Sequence, residues 1–125
     1  MLKYKLVQRG NPADQTAPKK WYAIHVLSGK KNISALAKDI ADISSLSRGD
    51  INNVLTNLVE RIPGELLDGK SVSLGELGTL RISFGSDGAD TEDNFNAAGI
   101  KNLKVIFTPG TLIKKELQEA KFVKE

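Results

Sequence analysis

Lysine and arginine, eighteen together against fifteen aspartates and glutamates, are the residues most able to do chemistry in this chain. Cysteine is absent and histidine occurs once, as His25. Thiolate metal sites and disulfides are therefore excluded, no histidine cluster can form, and imidazole base chemistry would rest on one residue. His25 lies in an apolar run, Trp21 to Leu27, and is expected to be a satisfied, partly buried side chain. Asp87, Asp90, Glu92 and Asp93 are close in sequence but lack the alternating acidic spacing of a calcium loop and its closing glutamate. No nucleophile–base pair and no phosphate-cradling glycine loop is present. The expectation is a protein that is not an enzyme, with no cofactor, no metal and no small-molecule substrate. Binding is what remains, and charge is its means.

The charge is unevenly placed. Residues 1–32 hold seven lysines and arginines and one acid, Asp14, while residues 33–84 hold five basic and seven acidic residues. Residues 85–100 carry four acids and no base, and residues 101–125 carry six lysines and three glutamates. Two basic ends around an acidic middle suggest that a polyanion would be met by the ends. Lys101, Lys104, Lys114 and Lys115 are the leading candidates, joined by Arg81 from a neighbouring strand. The turn at Pro109-Gly110 would bring Lys104 and the last helix together into a patch that positions phosphates without reading bases. Lys19 and Lys20 take a secondary role beside Trp21 and Tyr22, an aromatic-basic mixture that could stack on bases. Adjacent strand residues point to opposite faces, however, so one ring is expected in the core and the other half-exposed.

The elements that must position these residues follow from hydrophobic period. Leu2 to Val7 alternates, and Trp21 to Leu27 is aromatic and β-branched; both read as strands, separated by the breakers Gly10-Asn11-Pro12 and Pro18. From Asn32, Ile33, Leu36, Ala37, Ile40, Ala41 and Ile43 mark one face of a helix, with Asn32 or Ser34 as cap. Ser47, followed by Asp50, opens a second helix through Ile51, Val54, Leu55, Leu58, Val59 and Ile62, which Pro63-Gly64 is expected to stop. Ser71 to Leu74 is a short strand, Gly75-Glu76 a turn, and Leu77 to Phe84 a longer strand, with Gly75 and Gly78 as turn and packing glycines. Residues 85–100, rich in Gly, Asp, Asn and Ala, read as a mobile excursion. Lys101 to Thr108 is the return strand, Pro109-Gly110 opens a final helix, and the tail from Ala120 is either frayed helix or a late strand.

At 125 residues the chain is the size of one domain, with enough apolar material for one core. No stretch approaches the roughly 20 apolar residues of a membrane helix, and the first residues lack the apolar centre of a signal peptide. A cytoplasmic location is the expectation, with no membrane partner. The organisation expected is an N-terminal β extension over 1–31 and a second domain over 32–125, forming a single compact unit.

This order of elements meets specific residues. Gly69-Lys70-Ser71-Val72-Ser73-Leu74-Gly75-Glu76-Leu77-Gly78-Thr79-Leu80 resembles the glycine-bounded strand-turn-strand of the bacterial histone-like HU and integration host factor family. Lys104-Val105-Ile106-Phe107-Thr108-Pro109-Gly110 and the lysine-bearing helix after it resemble that family's return strand and last helix. The HU-like branch of the Bacteroidetes is the most similar, through Lys3-Tyr4-Lys5, the segment Ala17-Pro18-Lys19-Lys20-Trp21-Tyr22 and an acidic arm at Gly88 to Phe95.

The resemblance implies an α+β, HU-like fold: a helix pair, a three-stranded antiparallel sheet with an arm, and a C-terminal helix, here with N-terminal strands added. It implies a histone-like, chromosome-architectural protein that binds double-stranded DNA through phosphates, largely independent of sequence. It implies a homodimer as well, whose core would hold Ile51, Leu55, Leu58, Leu77, Leu80, Ile82 and Phe107. The arm departs from the family. Ordinary HU proteins carry a basic ribbon with a wedging proline, whereas residues 85–100 have no proline and four acids, which phosphates would repel. The alternative from another class is a protein-interaction module that keeps the fold and has weak or no DNA affinity.

Overall fold

A computed structural model describes residues 1–125. The chain forms two compact units, one contiguous from Ile33 to Lys115, the other made of Met1–Asn32 together with Glu116–Glu125.

In the contiguous unit, α1 (Ile33–Asp42) and α2 (Arg48–Leu67) form a helix pair joined by a short link. Ser47 caps α2, its side chain accepting from the Asp50 backbone N–H at 3.1 Å. The Ser34 hydroxyl accepts from Arg48 Nη2 at 2.7 Å, tying the start of α2 to the first turn of α1. The second helix does not stop at Pro63. It runs on to Leu67, with Ile62 half-buried and Leu66 buried on either side of the proline. Pro63 removes one N–H, the donor for the Val59 carbonyl four residues back. Because Val59 is itself 52% exposed, water can satisfy that carbonyl, and the packing of Leu66 holds the last turn.

The sheet of this unit is antiparallel in the order β3 (Val72–Ser73), β4 (Gly78–Ser86), β5 (Ile100–Pro109). A single 3-10 turn, Gly75–Leu77, links β3 to β4. Gly78 is buried with φ +150°, and a Cβ built there would lie 2.5 Å from the Thr108 carbonyl oxygen and 2.6 Å from the Phe107 ring. Gly110 is similarly tight: its N–H donates to the Leu77 carbonyl at 2.9 Å, and an added Cβ would overlap the Glu76 carbonyl. These two glycines let the start of β4 and the end of β5 press against each other before α3 (Thr111–Leu117) begins.

Residues 87–99 are a closed loop with defined turns, not a long ribbon. The Asp87 N–H donates to the Gly99 carbonyl at 2.8 Å and the Phe95 N–H to the Glu92 carbonyl at 3.1 Å. Asn96 caps a 3-10 turn at Ala97–Gly99 by accepting from the Ala98 N–H at 2.9 Å.

The other unit is a three-stranded sheet ordered β2 (Lys20–Val26), β1 (Leu2–Arg9), β6 (Phe122–Lys124). β1 and β2 are antiparallel, with Arg9 opposite Lys20 and Lys3 opposite Val26. β6 runs parallel to β1, pairing Leu2 with Phe122 and Tyr4 with Lys124, so the tail is a late strand. Nothing within this unit covers either sheet face. Trp21 and Tyr22 are consequently 64% and 46% exposed, and His25 is exposed as well. The expected burial of one ring and of the histidine does not occur.

The apolar surface left uncovered is large. Ala37, Ile51 and Leu66 are the buried apolar residues of the whole chain, and the accessible surface totals 10464 Å².

Candidate nucleic-acid interface

Register decides which of the basic residues can act together. In antiparallel pairs, directly opposed residues share a face. Arg81 is opposite Ile106 and Ser83 opposite Lys104, so Arg81 and Lys104 are diagonal neighbours on one face of the sheet, about 7–8 Å apart. Simple alternation along β5 would send Lys101 to the other side, three residues from Lys104. A bulge intervenes: the register shifts between Ser83 and Gly85, and Asn102 takes the left-handed conformation at φ +58°. The extra residue places Lys101 opposite Gly85 and returns it to the face of Arg81 and Lys104. All three are exposed. Leu80, Ile82, Val105 and Phe107 take the opposite face, as their pairings require.

Lys101 is not a free cation. Its ammonium is ion-paired with the Asp87 carboxylate, both side chains being more than half exposed. The acidic loop thus reaches back onto the basic face and neutralises one end of it. Arg81 and Lys104 have no such partner. Arg81 also lines an open groove of about 560 Å³ beside Leu66 and Leu67 at the end of α2, with Ile82, Phe84 and Leu103.

Lys114 and Lys115 stand in the last turn of α3, both exposed. There they complement the partial negative charge of the helix C-terminus, whatever else they touch. Lys20 opens β2 opposite Arg9, and Lys19 immediately precedes it; both are exposed. The Arg9 guanidinium lies over the Tyr22 ring, 6.0 Å from its centroid. These lysines belong to the unit of Met1–Asn32 and Glu116–Glu125, and Arg81 and Lys104 to the contiguous one.

Of the expected dimer-core residues, Ile51 is buried within the chain, Leu55, Leu80 and Ile82 are half-buried, and Leu58, Leu77 and Phe107 are 41%, 47% and 42% exposed. Val54 and Val105, at 62% and 56%, extend the same kind of surface.

Sequence reasoning passed over Lys3, Lys5 and Arg9. The signal was present in the alternation of Leu2 to Arg9, which puts every charged residue of β1 on one side.

Asp14 lies in the β1–β2 connection. The Thr16 hydroxyl donates to its carboxylate at 2.6 Å and the Thr16 N–H at 3.0 Å, and these bonds hold its pKa below the ordinary carboxylate value. No group of three His, Cys, Asp or Glu side chains is arranged to hold a metal, and no helix is long and apolar enough to cross a membrane.

Among solved structures, the fold is similar to a protein of Bacteroides vulgatus ATCC 8482 described as a candidate bacterial DNA-binding protein. The TM-score is 0.64 at 17% identity over 98% of this chain, which spans 47% of that protein's length. No curated protein matches the sequence. The mixed α+β architecture, with its helix pair, glycine-locked sheet and short last helix, is HU-like. With residues 1–124 matching the family described as "HU domain fused to wHTH, Ig, or Glycine-rich motif", the chain belongs to that HU-HIG family.

Proposed function

We propose that this chain is a non-enzymatic, histone-like DNA-binding protein of the Bacteroidetes HU-like branch, acting in the cytoplasm on the nucleoid as a homodimer. The observation that carries this reading is the bulge-restored row Arg81, Lys104 and Lys101 on one face of an HU-like sheet. Arg81 and Lys104, two unpaired cations on one side of a strand pair, with Lys101 ion-paired to Asp87 at the end of the row, suit phosphate contacts, which orient a duplex without specifying its sequence. Lys114 and Lys115 add to the patch, and Lys19 and Lys20 assist from the N-terminal sheet.

Exposed apolar residues of the contiguous unit support the homodimer. Leu58, Leu77 and Phe107 provide apolar area of the kind such an interface uses.

The test is a shift titration with unrelated duplexes at two salt concentrations. Replacing Lys104, Lys114 and Lys115 together by Ala should flatten the slope of log affinity against log salt by roughly two to three units, about 0.9 per phosphate contact. Affinity should fall equally for every duplex. A triple variant with unchanged affinity and slope would remove the patch from the site.

A second reading is favoured by one observation: the contiguous unit is acidic, with nine Lys/Arg and eleven Asp/Glu. An HU-like interaction module with little DNA affinity has this balance. It takes over if the wild-type protein shows no duplex binding at about 50 mM salt, where electrostatic binding is strong.

A further inference from the structure

The positive charge of the protein sits on its smaller unit. Met1–Asn32 with Glu116–Glu125 carries nine Lys/Arg and four Asp/Glu, a net +5, whereas Ile33–Lys115 carries a net −2. The strand register concentrates much of that charge further. Lys3, Lys5 and Arg9 alternate along β1 and so project from one face, Lys20 opposes Arg9, and Tyr22 opposes Val7 on the same face. Val7, Ile24 and Val26, all half-buried, share that face. Leu2, Tyr4, Leu6, Trp21 and Phe122 take the other face, with Gln8, His25 and Lys124. Most of the strand cations therefore lie on one side of the sheet.

Lys3, Lys5, Arg9 and Lys20 are exposed, and none is in an ion pair. Glu125, brought beside β1 by the parallel pairing of β6, is the one acid whose register places it on this side. Alternate residues in a strand are about 6.8 Å apart, and the cations run in a line along β1. Tyr22, 46% exposed, and the Arg9 guanidinium above it form a π surface within that line.

We infer that the basic face of this N-terminal sheet is a binding surface for single-stranded nucleic acid, with Lys3, Lys5, Arg9 and Lys20 on the phosphates and Tyr22 stacking on a base. A linear track of cations interrupted by an exposed ring follows one extended strand, whose bases are free to stack on tyrosine or arginine. The bases of a duplex are already stacked on each other, so Tyr22 has no role with that ligand. This inference does not depend on duplex binding by the HU-like sheet.

The experiment is fluorescence anisotropy of the full chain with an oligothymidine of about 20 nucleotides, longer than the roughly 4–16 nucleotides such surfaces occupy, an oligouridine and a duplex of equal length. The triple variant Lys3→Gln, Lys5→Gln, Arg9→Gln changes only exposed side chains. It should lose at least tenfold in single-strand affinity at about 50 mM salt, and its salt slope should flatten by about two units, at 0.7 per contact for single strands. Duplex affinity should move less than about threefold. Tyr22→Leu should lose roughly fivefold or more at an unchanged slope, the least that stacking of one base contributes, while Tyr22→Phe retains affinity. Tighter binding of oligouridine would identify RNA as the strand, and tighter binding of oligothymidine DNA. A triple variant with wild-type single-strand affinity and slope overturns the inference, and so does a wild-type protein that binds duplex but neither oligonucleotide. Single-strand binding without duplex binding would instead overturn the proposal for the HU-like sheet and leave this one standing.

Discussion

Asp87→Asn offers a direct test of how the acidic loop acts on the basic face. In the native chain Asp87 neutralises Lys101, the end of the row that includes Lys104 and Arg81. Both partners are largely exposed, at 54% and 60%, so the pair contributes little to stability, on the order of 0–1 kcal/mol. Removing the carboxylate should therefore leave the fold intact and release one cation toward the phosphates. One added contact steepens the salt slope by about 0.9, which makes the gain in duplex affinity about 3.5-fold larger at 50 mM salt than at 200 mM. The assay is a salt series of duplex titrations on wild type and variant, with thermal melts to confirm unchanged stability. An Asp87→Asn protein that binds duplex with the wild-type slope would show that Lys101 meets no phosphate, and the bulge at Asn102 would lose the role assigned to it. A fall in affinity would mean that the loop itself makes productive contacts.

Other consequences can be measured separately. Gly78→Ala should destabilise the contiguous unit by about 2–4 kcal/mol through overlap and backbone strain, lowering Tm by 10 °C or more; Gly64→Ala, in helix with open space around it, should gain about 0.5–1 kcal/mol, and equal melts for the two would refute the close approach. Sedimentation should find a dimer at micromolar concentration, and Leu77→Asp should abolish it or unfold the chain, since a buried unpaired carboxylate costs several kcal/mol; a stable folded monomer of the wild type would contradict the proposal. Asp14 has a folded pKa below its unfolded one, so its contribution is complete above the unfolded value and is lost as pH falls through the folded value. Thr16→Ala should raise the Asp14 pKa toward the ordinary carboxylate value in an NMR titration, and an unmoved pKa would refute the assigned cause.

Much of the fold was legible because it depends on local chemistry. Ser47 with Asp50 announced the start of α2, the period change at Asn32 announced α1, and Gly75 and Gly78 marked the link into β4. Three features were not legible because each depends on partners distant in sequence. Pro63 reads as a stop, yet the burial of Leu66 carries the helix past it. Lys101 and Lys104 read as members of one patch, but the bulge that sets them on the same face of the strand appears only in the pairing with β4. Trp21 and Tyr22 read as one buried and one half-exposed, which assumes a second layer that this unit does not contain. The ion pair of Lys101 with Asp87 joins residues fourteen apart, and no local pattern foretells it. Composition located the charge; register determined which charges act together.

The parallel pairing of β6 with β1 sets an order of assembly. The helical unit is an uninterrupted run of sequence inserted into the small sheet, between β2 and β6. On a ribosome, that run emerges before Phe122–Lys124 do. The small sheet cannot be completed until Phe122–Lys124 arrive to close over the flank of β1. Until then β1 presents a bare edge of unpaired N–H and C=O groups, open to any extended chain nearby. The lysines along β1 and β2 guard that interval: their charge repels a second nascent copy of the same strand during the one period when it could pair wrongly.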